Sequence, residues 1–142
     1  MTSDNKVHRG KSLVCLMYHD VIADQSQISG FQNVGAQPYK VAVANFELQM
    51  KYRAYSQSGN VQKSEVVITF DDGGESFVSI VEPILAKYGL IGWFFVTTSR
   101  IDTPGFLTTA QISYLHAIIQ LRPPQRADTI HAANARQQRA AI

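Results

Sequence analysis

The stretch Val66 to Gly74, VVITFDDGG, decides how the rest of the chain is read. Val66, Val67, Ile68 and Phe70 are β-branched or aromatic, the composition of a strand covered on both faces. Strands of that kind in α/β folds run their carboxyl ends into a ligand crevice, and this one ends in two adjacent aspartates. The plainer alternative is a turn. Asp bonds its own backbone and Gly supplies positive φ, so Asp-Asp-Gly-Gly closes a turn without any chemistry. The flanking segments have to decide between the two.

Downstream, Phe77, Ile80, Val81, Ile84, Leu85 and Tyr88 recur at the spacing of one helical face, which predicts an amphipathic helix. Ser76 is placed to cap it, Gly89 to end it and Pro83 to kink it, since proline removes a backbone donor and crowds the preceding turn. IGWFFVTT (91–98) reads as a further strand and SRIDTPGF as a loop. TTAQ (108–111) has capping-box form and opens a helix carrying Ile112, Leu115 and Ile119. Upstream, LVCLMYH (13–19) reads as the first strand. The following DVIADQSQISGFQNVGAQPY, rich in Gly, Ser, Gln and Asn, is a long loop of the kind that is functional or mobile. A helix around Val43 to Tyr55 follows, with Val43, Phe46 and Met50 on one face and SQSGN as its break. Strand, helix, strand, helix, strand, helix is the order of an α/β fold: parallel strands with covering helices.

The 142 residues suit one domain, and a hydrophobic content of 45% is that of a chain with a core rather than a disordered one. Charge is unevenly placed. Residues 1–120 carry nine basic and ten acidic side chains, whereas 121–142 carry four and one. No apolar run reaches the roughly 18 residues of a membrane span, and the polar start MTSDNKVHRGKS (1–12) lacks the apolar segment of a secretory signal. The expectation is therefore a cytoplasmic chain with no membrane partner. Cys15, the single cysteine, excludes an internal disulfide and, inside LVCLMY, is expected to be a buried packing residue. No nucleotide-binding glycine fingerprint is present, and four arginines in the tail without a motif do not make a nucleic-acid site.

Two strand ends align. YHD (18–20) closes the first strand and FDD (70–72) the second, so a parallel sheet brings both to one carboxyl edge, where α/β enzymes place their sites. Neighbouring strand residues point to opposite sides, so Asp71 and Asp72 are suited to different tasks rather than to sharing one proton. One can bind a metal ion while the other accepts a proton from water.

LMYHDV, VVITFDDGGESF and PILAKYGLIGWFFVTTSRIDTPGFLTTAQISYLHA, in that order, resemble the polysaccharide deacetylases, the NodB-homology group of carbohydrate esterases. The likeness runs from Leu13 to Ala117. It implies the N-terminal portion of a distorted (β/α) barrel that hydrolyses N-acetyl groups of N-acetylglucosamine polymers. It also implies Asp71 as general base, Asp72 as ligand of a zinc or similar divalent ion together with two histidines, and His19 as the general acid that protonates the departing amine. A hydrogen-bonded strand-end histidine with a structural role is the alternative for His19. Asp20 either orients the His19 ring or begins the loop.

The pattern departs from the family after Ala117, where the histidine pair that supplies the metal ligands is expected and IIQLRPPQRADTIHAANARQQRAAI follows instead. His116, on a helix, and His131, in the tail, are poor substitutes. A full barrel takes on the order of 200–250 residues. The chain therefore divides into a polar segment (1–12), a partial deacetylase-like domain (13–117) and an Arg/Ala/Gln-rich tail (118–142) expected to add nothing to the core. An incomplete deacetylase acting on an N-acetylated glycan is the leading expectation, and the resemblance implies the periplasm or cell surface as the alternative to a cytoplasmic place. A non-catalytic or carbohydrate-binding remnant is the rival.

Overall fold

The structure, a computed structural model, describes residues 13–58 and 65–121. The expectations for 1–12 and for 122–142 lie outside the described residues; for 118–121 the expectation of a tail that adds nothing to the core is corrected, because the last described helix runs on to Leu121 and buries Ile119 in the core. In chain order the elements are β1 (Leu13–Tyr18), β2 (Asp20–Ile22), a 3-10 turn (Val34–Tyr39), β3 (Lys40–Ala42), α1 (Val43–Ser58) and β4 (Glu65–Phe70). A π-turn (Phe77–Val81) then leads into α2 (Glu82–Lys87), followed by β5 (Trp93–Phe94), a 3-10 turn (Thr98–Arg100) and α3 (Thr109–Leu121).

β1, β4 and β5 form a parallel sheet in the order β1-β4-β5. The register places Tyr18 beside Phe70 and Phe70 beside Phe94, so three aromatic rings lie in one row across the strands. Phe70, fully buried, stacks on Tyr18 at 5.5 Å and on Phe94 at 5.1 Å, and meets Phe46 of α1 and Phe77 edge-on. These separations lie in the range where aromatic pairs attract by about 0.5–1.5 kcal/mol beyond their buried area. Phe46 and Met50 of α1, Val81 and Leu85 around α2, and Leu115 and Ile119 of α3 complete the core on the same face. Each fully buried side chain of this size contributes about 1.5–3 kcal/mol relative to exposure.

The other face of β1 differs from expectation. Cys15 is exposed and Met17 is 59% exposed, because strand residues alternate and, among the described residues, helices cover only the Tyr18 side of β1. Three local expectations also change. The loop after β1 contains a second parallel pair, β2 with β3, in which Asp20 faces Lys40. Pro83 does not kink a continuous α-helix: it sits in the first turn of α2, where its missing donor costs little, and the irregularity takes the form of the preceding π-turn, closed by the Glu82 N–H on the Phe77 carbonyl. The third strand is confined to Trp93–Phe94, since β5 pairs only with β4 in the sheet.

Other signals hold. Gly89 ends α2 at φ 62°, with its N–H on the Ala86 carbonyl and that of Leu90 on the Leu85 carbonyl, a Schellman closure. Thr108 and Gln111 bond reciprocally, the Gln111 N–H to the threonine hydroxyl at 3.2 Å and the Thr108 N–H to Gln111 Oε1 at 2.8 Å, as a capping box does.

Candidate active site

The carboxyl edge of the sheet gathers the two segments as expected. The Asp71 N–H donates to the Tyr18 carbonyl at 2.9 Å, continuing the β1–β4 pairing by one residue and setting Asp71 beside His19. Asp72 then turns the chain at φ 79°, and its carbonyl accepts from the Thr97 N–H at 3.2 Å. Left-handed backbone costs roughly 1–2 kcal/mol for most residues, and Asp is among the few that visit it. Gly73 continues at φ 86°, where a Cβ would meet Val96 Cγ1 at 2.9 Å. Asp-Asp-Gly thus forms the turn and sets both carboxylates at the carboxyl edge of the sheet.

Asp72 and His19 line one small pocket, walled further by Phe31, Ala36 and Tyr39. Burial raises the pKa of both Asp71 and Asp72 above the usual carboxylate value. The His19 charge opposes the rise in both cases, while Asp72 adds to it for Asp71 and Asp20 adds to it for Asp72. A carboxylate held half-buried with a raised pKa is a better proton acceptor than a solvated one.

Asp20 does neither of the two things its position suggested. Its carboxylate is buried, with Oδ1 accepting from the Ser29 hydroxyl at 2.8 Å, the Ser76 hydroxyl at 2.6 Å and the Val21 N–H at 3.1 Å. Oδ2 pairs with Lys40 Nζ at 3.0 Å, and Lys40 also donates to the Ser29 carbonyl at 2.6 Å. Ser76 is therefore a partner of Asp20 and makes no side-chain cap to the helix that follows it. A Cβ on Gly74 would press on the cluster, 3.0 Å from Ser29 Oγ and 3.1 Å from Asp20 Oδ1. The sequence reading missed Ser29, Tyr39, Lys40 and the true role of Ser76; the only local signal was a lysine directly after a loop tyrosine.

The metal set implied by the family resemblance is not assembled by these residues. Among the described residues there is no group of three His, Cys, Asp or Glu side chains able to hold an ion. His116 is exposed on α3, and His131 lies outside the described residues. Among the described residues no helix is long and apolar enough to cross a membrane.

Among the described residues, a parallel sheet with helices on one face and an acidic pair at its carboxyl edge defines an α/β architecture of the (β/α)-barrel kind. The sequence profile of the polysaccharide deacetylase family matches residues 58–136, more than half of the chain, and the chain belongs to that family. Three solved structures share the fold. IcaB from Ammonifex degensii superposes with a TM-score of 0.58 at 21% identity, over 76% of this chain and 49% of that one. A de-N-acetylase from Aggregatibacter actinomycetemcomitans gives 0.53 at 20%, over 75% and 51%. The deacetylase PplD of Streptococcus pyogenes, in complex with acetate, gives 0.52 at 22%, over 75% and 52%. At these identities the likeness is one of fold, that of part of a NodB-type (β/α) barrel. The chain spans about half the length of the structures it matches. No curated protein matches it.

Proposed function

We propose that the chain carries the acid–base half of a de-N-acetylase site directed at glycans containing N-acetylglucosamine. The observation that carries this reading is the convergence of His19 and the two raised carboxylates, Asp71 and Asp72, on one sheet edge. In the reaction water adds to the acetamide carbonyl carbon while the Asp71 carboxylate takes one of its protons. The His19 ring then delivers a proton to the amide nitrogen as the C–N bond breaks, leaving acetate and a free amine. Asp72, on the pocket wall, is the residue suited to binding a divalent ion such as zinc. A catalytic zinc takes three protein ligands, which the described residues do not provide.

That same shortfall favours a second reading, in which this chain binds N-acetylated sugar without turning it over. No nucleic-acid or membrane partner belongs to either reading. Calorimetry with zinc and acetate release from N-acetylglucosamine oligomers separate the two. The expected result is weak zinc binding and little turnover by the chain alone. Micromolar or tighter binding, with turnover abolished by both Asp72→Ala and Asp71→Asn, establishes a working deacetylase whose remaining ligands lie outside the described residues. Sugar binding without acetate release establishes the second reading.

A further inference from the structure

We infer that Tyr39 is the positioning residue for the His19 imidazole, and that the buried Asp20–Lys40 ion pair holds Tyr39 in place. The inference rests on the reading of His19 as the acid. Asp20 and Lys40 face each other in the first rung of the β2–β3 pair. The residues immediately before them are His19 and Tyr39, and their rings meet at 4.8 Å with an interplanar angle of 37°. Nothing in local sequence brings these two rings together, since 20 positions separate them; the rung does it.

The rung is unusually well fixed. The side chains of Lys40 and Asp20 are 5% and 6% exposed, and Lys40 reaches Asp20 Oδ2 at 3.0 Å and the Ser29 carbonyl at 2.6 Å. An ammonium group so far from water is tolerated only with its partners in place, so the pair has essentially one geometry. On the other side of Tyr39 the mount is equally stiff. Pro38 precedes it inside the 3-10 turn, Asn33 caps that turn by accepting the Ala36 N–H at 2.9 Å, and the Lys40 N–H returns to the Gln37 carbonyl. Tyr39 is itself 56% exposed, so little else in the core requires an aromatic ring there.

This answers what orients His19. Asp20 follows it in the chain but directs its carboxylate to Ser29, Ser76 and Lys40. The imidazole is held by ring packing, with its rotation limited by the tyrosine face that also walls the Asp72 pocket. Holding a proton donor in one orientation before substrate arrives removes part of the entropic cost of the proton-transfer step.

The test uses the full chain and the proton–carbon correlation spectrum of its four histidine rings at one fixed pH, with His19→Gln assigning the His19 signal. The wild-type His19 ring protons are expected displaced by the Tyr39 ring current. Tyr39→Phe should keep that displacement, and Tyr39→Leu should abolish it while the backbone amide spectrum stays native. Lys40→Met should abolish it too; if that variant does not fold, the double variant Asp20→Asn/Lys40→Met, which removes both charges, takes its place. A His19 signal unmoved by Tyr39→Leu overturns the inference. One that survives loss of the ion pair overturns the part assigned to Asp20 and Lys40. Titration with an N-acetylglucosamine oligomer is read in parallel: His19 signals that depend on Tyr39 but do not respond to the oligomer remove the acid role of His19 and leave the packing, so the two claims fail separately.

Discussion

Asp72 bears two costs at one position. Its backbone is left-handed, at φ 79°, and its carboxyl is half-buried with a raised pKa. Asparagine adopts the same backbone readily and has no charge to desolvate. Asp72→Asn is therefore expected to stabilise the fold at neutral pH, by no more than about 1 kcal/mol because solvent still screens the group. The sign follows from linkage. With the folded pKa above the unfolded one, the native state binds more protons between the two values, so wild-type stability falls as pH rises through that window. The advantage of the variant should be full above the window and shrink toward zero below the ordinary value of 3.8. Denaturant unfolding at neutral pH and at about pH 3 checks it, and an equal advantage at both would assign the gain to the backbone alone. Asp71→Asn, whose pKa is raised for the same leading reason, should show the same trend.

At the scale of elements, the aromatic row of β1, β4 and β5 leaves no room at the entry to β5. A Cβ on Gly92 would lie 2.6 Å from Phe70 Cε2 and 3.0 Å from Leu85 Cδ1. Gly92→Ala is expected to cost about 1–3 kcal/mol by overpacking, read as a lowered denaturation midpoint with an unchanged slope. Elements governed by neighbours along the chain were legible in the sequence: the apolar strand 66–70, the α1 face of Phe46 and Met50, the Gly89 closure and the Thr108 capping box. The candidate site was legible as far as strand ends reveal it: the parallel register does bring His19, Asp71 and Asp72 to one sheet edge. What escaped was non-local. Ser76 looks like a helix cap until Asp20 arrives from 56 residues away, and a three-residue rung such as Asp20–Ile22 with Lys40–Ala42 has no periodicity to detect. Cys15 escaped because an apolar strand pattern does not say whether one face or both are covered.

At the scale of the whole molecule, the helices among the described residues pack on one side of the sheet and leave Cys15 and Met17 of β1 open. The Cys15 thiol is expected to react with an aromatic disulfide reagent in the native protein, to one equivalent and near the rate of the unfolded chain. Reaction only after unfolding would show that this face is covered. The Asp20 carboxylate has a further consequence, for the order in which the molecule assembles. Its partners lie 9, 20 and 56 positions away in the chain, so the cluster cannot close until the segment after β4 has docked against the one after β1. Contacts with such separations form late, after the chain entropy between them has been lost. Ser76→Ala should then quicken unfolding and leave the folding rate nearly unchanged, as expected for a contact absent from the transition state. In stopped-flow experiments the unfolding limb would shift and the folding limb would stay. The residues that steady the pocket would then be the last to set and the first to let go.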